Sequence, residues 1–128
     1  MEDYCSFEQC VRLKELGFDW ECNHVYKKDF FNQWIFFHCL QDAYGNHNQG
    51  GESEPIFISA PTLSQAQKWL REKGYIILIY TLARAKQCVF YWKLYNSKGW
   101  QIKVSEDNFD TYEQSLSAGI DRALELLK

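Results

Sequence analysis

The sequence contains few residues that interrupt regular structure, with two prolines and seven glycines among 128 residues. No Pro-, Gly- or Ser-rich segment divides the chain, so the sequence indicates no linker. The longest uncharged apolar runs, residues 34–40 and 75–83, are much shorter than the roughly 20 residues of a membrane-spanning helix. The acidic start of the chain also lacks the basic and apolar regions of a signal peptide. We therefore expect a single cytoplasmic domain over residues 1–128, with no membrane partner.

The cysteines and histidines do not form a recognisable ligand pattern. Structural zinc sites usually combine two closely spaced ligand pairs, and the chain contains no Cys-x₂-Cys or His-x₃₋₅-His pair. The odd number and irregular spacing of the cysteines instead predict reduced, partly buried thiols without a metal or cofactor. The five cysteines are Cys5, Cys10, Cys22, Cys39 and Cys88.

Motifs of known catalytic sites are also missing. A nucleophilic cysteine needs a neighbouring base, and only Cys22 with His24 or Cys39 with His38 offers such a pair nearby in sequence. No nucleophile elbow, phosphate-binding glycine loop or dinucleotide fingerprint occurs. We therefore predict no catalytic residues, although the sequence does not exclude an enzyme of another kind.

The charge is unevenly distributed. The net charge of −3 and the isoelectric point near 5.6 exclude a global attraction to nucleic acid or anionic membranes. From Lys73 to Ser105, however, there is no Asp or Glu. This stretch contains the cations Lys73, Arg84, Lys86, Lys93, Lys98 and Lys103.

Three helices are predicted from their capping patterns and apolar periodicity. Ser6 and Thr111 each precede a glutamine by three residues, which is the capping-box pattern of a helix start. A further helix is expected after Pro61-Thr62, and glycines after residues 16 and 73 indicate where the first two helices end. The last helix carries an apolar stripe that we expect to pack on a sheet.

The predicted strands give an α+β fold with a mostly antiparallel sheet of about four to five strands. Residues 75–104 predict a three-stranded meander with turns at 83–86 and 96–99. Earlier strands are expected around residues 24–26, 34–40 and 56–58, and the aromatic 34–40 run predicts burial on both faces. The polar, Gly- and Asn-rich segment 41–54 predicts a mobile loop.

Six short segments lie in and beside the three predicted helices, namely residues 6–9, 13–19, 60–71, 112–116, 118–120 and 123–124. Together they resemble a family of small proteins from phages and prophages of gut bacteria that has no assigned activity. The resemblance covers roughly a third of the chain, since it concerns helices alone. The resemblance implies a mobile-element setting in a bacterial cytoplasm, and it implies no functional residue.

Two functions remain open from the sequence. The surplus of aromatic residues, with five Trp and eight Tyr, favours a non-enzymatic protein-interaction module with a protein partner or a second copy of the chain. The alternative is that the basic, aromatic hairpin 84–103 binds single-stranded nucleic acid or another polyanion. The candidate binding residues are Arg84, Lys86, Tyr91, Lys93, Tyr95, Lys98 and Trp100.

Overall fold

The computed structural model describes residues 3–28, 31–38 and 57–127, and the predicted loop 41–54 lies outside these ranges. The chain divides into two compact units, residues 4–62 and residues 63–128 together with 1–3. The expectation of one domain over residues 1–128 stays a prediction. No helix among the described residues is long and apolar enough to cross a membrane.

The first unit contains helix α1 (Phe7–Glu15) and the strands β1 (His24–Lys28), β2 (Trp34–His38) and β3 (Phe57–Ser59). The strands form an antiparallel sheet in the order β2-β1-β3. The predicted capping box of α1 is confirmed, because the Ser6 hydroxyl accepts from Gln9 N (3.2 Å) and Gln9 Oε1 accepts from Ser6 N (2.8 Å). The α1 residues Cys10 and Leu13 are buried.

The expected burial of the 34–40 segment on both faces is wrong for the residues described. Ile35 and Phe36 are 48% and 42% exposed. Within the described sheet β2 pairs only with β1, so it lies at an edge. An aromatic run therefore predicted the strand correctly but not its position in the sheet.

The second unit contains helices α2 (Leu63–Glu72) and α3 (Tyr112–Leu126) and the strands β4 (Tyr75–Arg84), β5 (Gln87–Asn96) and β6 (Gln101–Val104). The three strands form the predicted antiparallel meander, in the order β4-β5-β6. The Thr111–Gln114 capping box of α3 is confirmed. Both helices pack on the sheet, and the buried core of this unit contains Ile77, Trp92, Leu94, Leu116 and Ile120.

The α+β class and the three helices are confirmed, whereas the single sheet of four to five strands is corrected. The described residues form two three-stranded antiparallel sheets, one in each unit. The sequence patterns identify strands one at a time, but strand pairing depends on contacts between distant residues. Within residues 18–33, where the apolar pattern has no clean period, the strand β1 lies at the centre of the first sheet.

Candidate interaction surface

Side chains of the second sheet alternate between two faces, as the pleat of a strand requires. One face meets the helices and contains the buried Ile77, Trp92 and Leu94. The other we call the open face. Its members are Ile76, Leu78, Tyr80 and Leu82 of β4, Val89, Tyr91, Lys93 and Tyr95 of β5, and Val104 of β6. The same face continues to Arg84 and Gln87 at the hairpin end.

The open face is largely apolar and accessible to solvent. Leu78, Leu82 and Val104 are 43%, 41% and 43% exposed. The remaining members are partly buried. Scattered exposed aliphatic residues are normal on a protein surface, but a contiguous apolar patch marks a contact site.

Tyr80 lies at the centre of an aromatic cluster on this face. Its ring stacks on Tyr91, with centroids 5.5 Å apart and an interplanar angle of 20°. Its hydroxyl lies 3.2 Å from that of Tyr95, and the Lys93 ammonium lies 4.8 Å from the Tyr80 ring centroid. The hydrogen bond with Tyr95 raises the pKa of Tyr80, and Lys93 acts in the opposite direction.

The structure therefore brings together three of the predicted binding residues, Tyr91, Lys93 and Tyr95. All three are partly buried, and each of them contacts Tyr80. Because the rings already stack or hydrogen-bond within the cluster, the open face presents a preformed surface rather than separate, freely rotating rings.

The other four predicted residues lie at the two ends of the β4–β5 hairpin. Arg84 and Lys86 are exposed at one end, and Lys98 and Trp100 are exposed in the turn after β5. A ten-residue strand separates the ends by about 30 Å. The structure thus does not bring these cations together, and the binding role of all seven residues stays a prediction.

The sequence patterns did not predict that residues of β4 belong to the candidate surface. A turn expected at 83–86 shortens the strand, whereas the observed strand continues to Arg84 and only Ala85 and Lys86 form the turn. This register pairs Tyr80 with Tyr91 and Leu78 with Lys93. A two-residue turn placed at 85–86 would have revealed these pairs, since each hairpin register follows from its turn.

Two histidines, His24 and His38, contact each other in the first unit. His38 Nδ1 lies 3.1 Å from His24 Nε2, and His24 Nδ1 lies 2.9 Å from Asn23 Oδ1. Burial lowers the pKa of His24, and His38 lowers it further. Within residues 3–28, 31–38 and 57–127, no group of three or more His, Cys, Asp or Glu residues could hold a metal ion. The pair is a hydrogen-bonded contact between neighbouring strands.

No protein-family model matches this sequence, and comparisons with curated proteins and with solved structures found no match either. The proposed function therefore depends on the surface itself.

Proposed function

We propose that this chain is a non-enzymatic protein-interaction module that contacts its partner through the open face. The observation that supports this proposal most directly is the exposure of Leu78, Leu82 and Val104 on one continuous sheet face. Covering apolar surface gains about 25 cal/mol per Å² removed from water, so these side chains supply a driving force for association.

The charge on the open face defines the chemistry of the partner. Lys93 carries the charge near the middle of the open face, beside Tyr80, whereas Arg84 lies on the same face at the hairpin end. Burying an ammonium without a counter-charge is costly, so a wholly apolar partner would bind poorly. We expect a partner with an apolar stripe that also carries an Asp or Glu opposite Lys93.

The partner's expected conformation is an amphipathic helix. Helices α2 and α3 pack on the opposite face, which supports the view that a sheet of this width accommodates helical partners. A helix with apolar residues at intervals of three and four presents a stripe that fits along the strands.

The proposed setting is the cytoplasm of a bacterial host, in the service of a phage or other mobile element. Its support is the resemblance of segments in the three helices to proteins of phages and prophages. The partner is a protein, and no membrane is involved.

Binding of single-stranded nucleic acid through residues 84–103 is the alternative. The absence of acidic residues from Lys73 to Ser105 favours it. Against it, the Tyr80 and Tyr91 rings stack on each other, and the cations Arg84 and Lys98 lie at opposite ends of the hairpin. A single-strand binder needs free ring faces beside a continuous basic groove.

Selection of displayed random peptides on the immobilised full chain tests the proposed function. We expect enrichment of peptides with aliphatic residues at intervals of three and four together with one Asp or Glu. Leu78→Asp should weaken binding of the selected peptides at least tenfold, because it places a carboxylate in the apolar contact. Lys93→Glu should exchange the preferred acidic residue for Lys or Arg.

Ile35→Asp is the matched control, because Ile35 is 48% exposed on a strand of the other sheet. It receives the same substitution and should leave peptide binding unchanged. Selection without any enriched pattern, or selected peptides that bind the Leu78→Asp and Ile35→Asp variants equally well, would overturn the proposal.

A further inference from the structure

Strand β4 forms one edge of the second sheet, and half of its backbone groups point away from that sheet. In β5 the Phe90 N–H donates to Phe109 O (2.8 Å), and Trp92 O accepts from Ser105 N (2.9 Å). Even-numbered β5 residues therefore bond toward β6, and odd-numbered ones bond toward β4. Since β4 and β5 pair as Tyr80↔Tyr91, the even-numbered β4 residues bond to β5. The N–H and C=O groups of the odd-numbered β4 residues point outward.

Helix α2 covers the beginning of this edge and leaves the rest open. The outward carbonyl of Ile77 accepts a hydrogen bond from Gln67 Nε2 at 2.8 Å. Farther along, in the part of the chain that the structure describes, the outward groups of Ile79, Thr81 and Ala83 have no hydrogen-bond partner. Every residue from Thr81 to Cys88 is exposed, so no described element overlies this end of the hairpin.

The open part of the edge lacks the usual protection against strand pairing. Natural edge strands carry charged side chains, prolines or bulges, or are very short. Residues 79–83 contain no charge and no proline, and β4 pairs with β5 in a continuous register. At the opposite edge of the sheet, β6 has only four residues. The contrast indicates that β4 is the edge suited to receive another strand.

We propose that two copies of this chain associate through β4, in an antiparallel pair centred on Thr81. In this register Ile79 faces Ala83, and each outward N–H meets an outward C=O of the other copy. On the open face Tyr80 would lie opposite Leu82, and Leu78 opposite Arg84. No cation lies directly opposite another cation, so the register creates no like-charge pair, and the segment is complementary to itself in hydrogen bonding.

The pairing joins the two sheets into one and places both open faces on the same side, because paired residues of antiparallel strands point to the same face. The hydrogen bonds of the dimer involve the outward backbone groups of β4, whereas a partner of the open face contacts side chains across the sheet. Its partner is a second copy rather than an unrelated extended peptide, since the two-fold register satisfies the outward groups of both chains at once.

Thr81→Glu and Thr81→Lys test the dimer in the full chain. Thr81 is exposed, so either substitution is compatible with the fold, which circular dichroism checks. Across the two-fold axis the two substituted side chains would lie about 5 Å apart, so like charges should oppose pairing. Sedimentation should show a concentration-dependent dimer for the unmodified chain and at least a tenfold weaker dimer for each variant.

Mixing the two variants provides the decisive measurement. The Thr81→Glu and Thr81→Lys chains carry opposite charges at the same point, so the mixture should regain a heterodimer that neither variant forms with itself. A monomer at millimolar concentration, a dimer that both variants leave unchanged, or a mixture that stays monomeric would overturn the pairing. Peptide binding by the open face should survive in both variants, so a failure here is separable from a failure of the proposed function.

Discussion

The Cγ2 methyl of Ile77 lies 2.9 Å from the position that a Cβ atom on Gly119 would occupy. The Cβ and Cγ of Trp92 lie 3.3 Å from the same position. Helix α3 therefore approaches the sheet so closely that a side chain at position 119 would force its neighbours to shift. The contact joins two elements that are far apart in sequence.

Gly119→Ala should destabilise the second unit although alanine favours helix formation. Overpacking of a buried contact costs about 1–3 kcal/mol, against a gain in helix propensity of about 1 kcal/mol. Urea unfolding should show a net loss of free energy of unfolding. In an Ile77→Ala background the 2.9 Å contact is removed and only the 3.3 Å contacts with Trp92 remain. The same substitution should therefore cost less there, and equal costs in both backgrounds would disprove the steric explanation.

Ala85→Gly should stabilise the hairpin. Ala85 has φ = 51°, and Lys86 is not among the described residues with positive φ, which together match the type II′ turn that prefers glycine first. Glycine removes the backbone strain of a positive φ at position 85, and this gain outweighs the larger entropy that glycine gives the unfolded chain. The free energy of unfolding should rise by about 0.5 kcal/mol. Lys86→Gly is the control, and thermal unfolding should show it to be destabilising.

The stability of the first unit should depend on pH through His24. Its pKa is lowered from 6.5 in the folded chain, by burial and then by His38, so the unfolded chain takes up the proton more readily. The stabilising contribution is complete above pH 6.5 and is lost as pH falls through 6.5 toward the lower folded pKa. Urea unfolding at a series of pH values should show this loss, and His24→Gln should flatten the slope. An unchanged slope in the variant would assign the effect to other groups.

Cys88 should react with a thiol reagent much faster than the other described cysteines. It is exposed, whereas Cys5, Cys10 and Cys22 are buried. Burial raises the pKa of Cys10 to about 12, with smaller contributions from Cys22 and Glu8, so its reactive thiolate is scarce. In a Cys39→Ser background one fast equivalent is expected, and Cys88→Ser should abolish it. A fast phase that persists would show that a buried thiol is accessible.

The chain should show no salt-dependent affinity for single-stranded oligonucleotides. Its cations lie at opposite ends of the hairpin and its central rings are stacked together. Fluorescence anisotropy with a labelled oligonucleotide at low salt measures this directly. Binding that falls steeply with salt and weakens in an Arg84→Ala, Lys98→Ala double variant would establish the alternative function instead.

Features with local causes were predictable from the sequence. The capping boxes at Ser6 and Thr111 involve residues only three positions apart, and both occur as predicted. The alternation of 87–95 likewise places Trp92 and Leu94 in the core. These patterns reflect short-range geometry, which the chain encodes directly.

Features that depend on long-range pairing were not predictable in the same way. Nothing local to residues 34–38 indicates that this aromatic strand lies at a sheet edge. The position of Tyr80 in the candidate site depends on a turn two residues long, and a small error in that turn conceals the stacking on Tyr91. Such errors matter most for a surface built from two strands.

The exposed end of the β4–β5 hairpin gives the second unit a gradient of local stability. A two-stranded ribbon without tertiary cover is only marginally stable, so amide hydrogens near Ala85 should exchange with solvent through brief local opening. Amides near Leu94, which is fully buried, should exchange only when the whole unit unfolds. In the monomer, the hairpin end should therefore open and close many times within the lifetime of the folded chain. A partner that keeps the hairpin end closed needs enough binding free energy to offset the conformational entropy lost by that ordering.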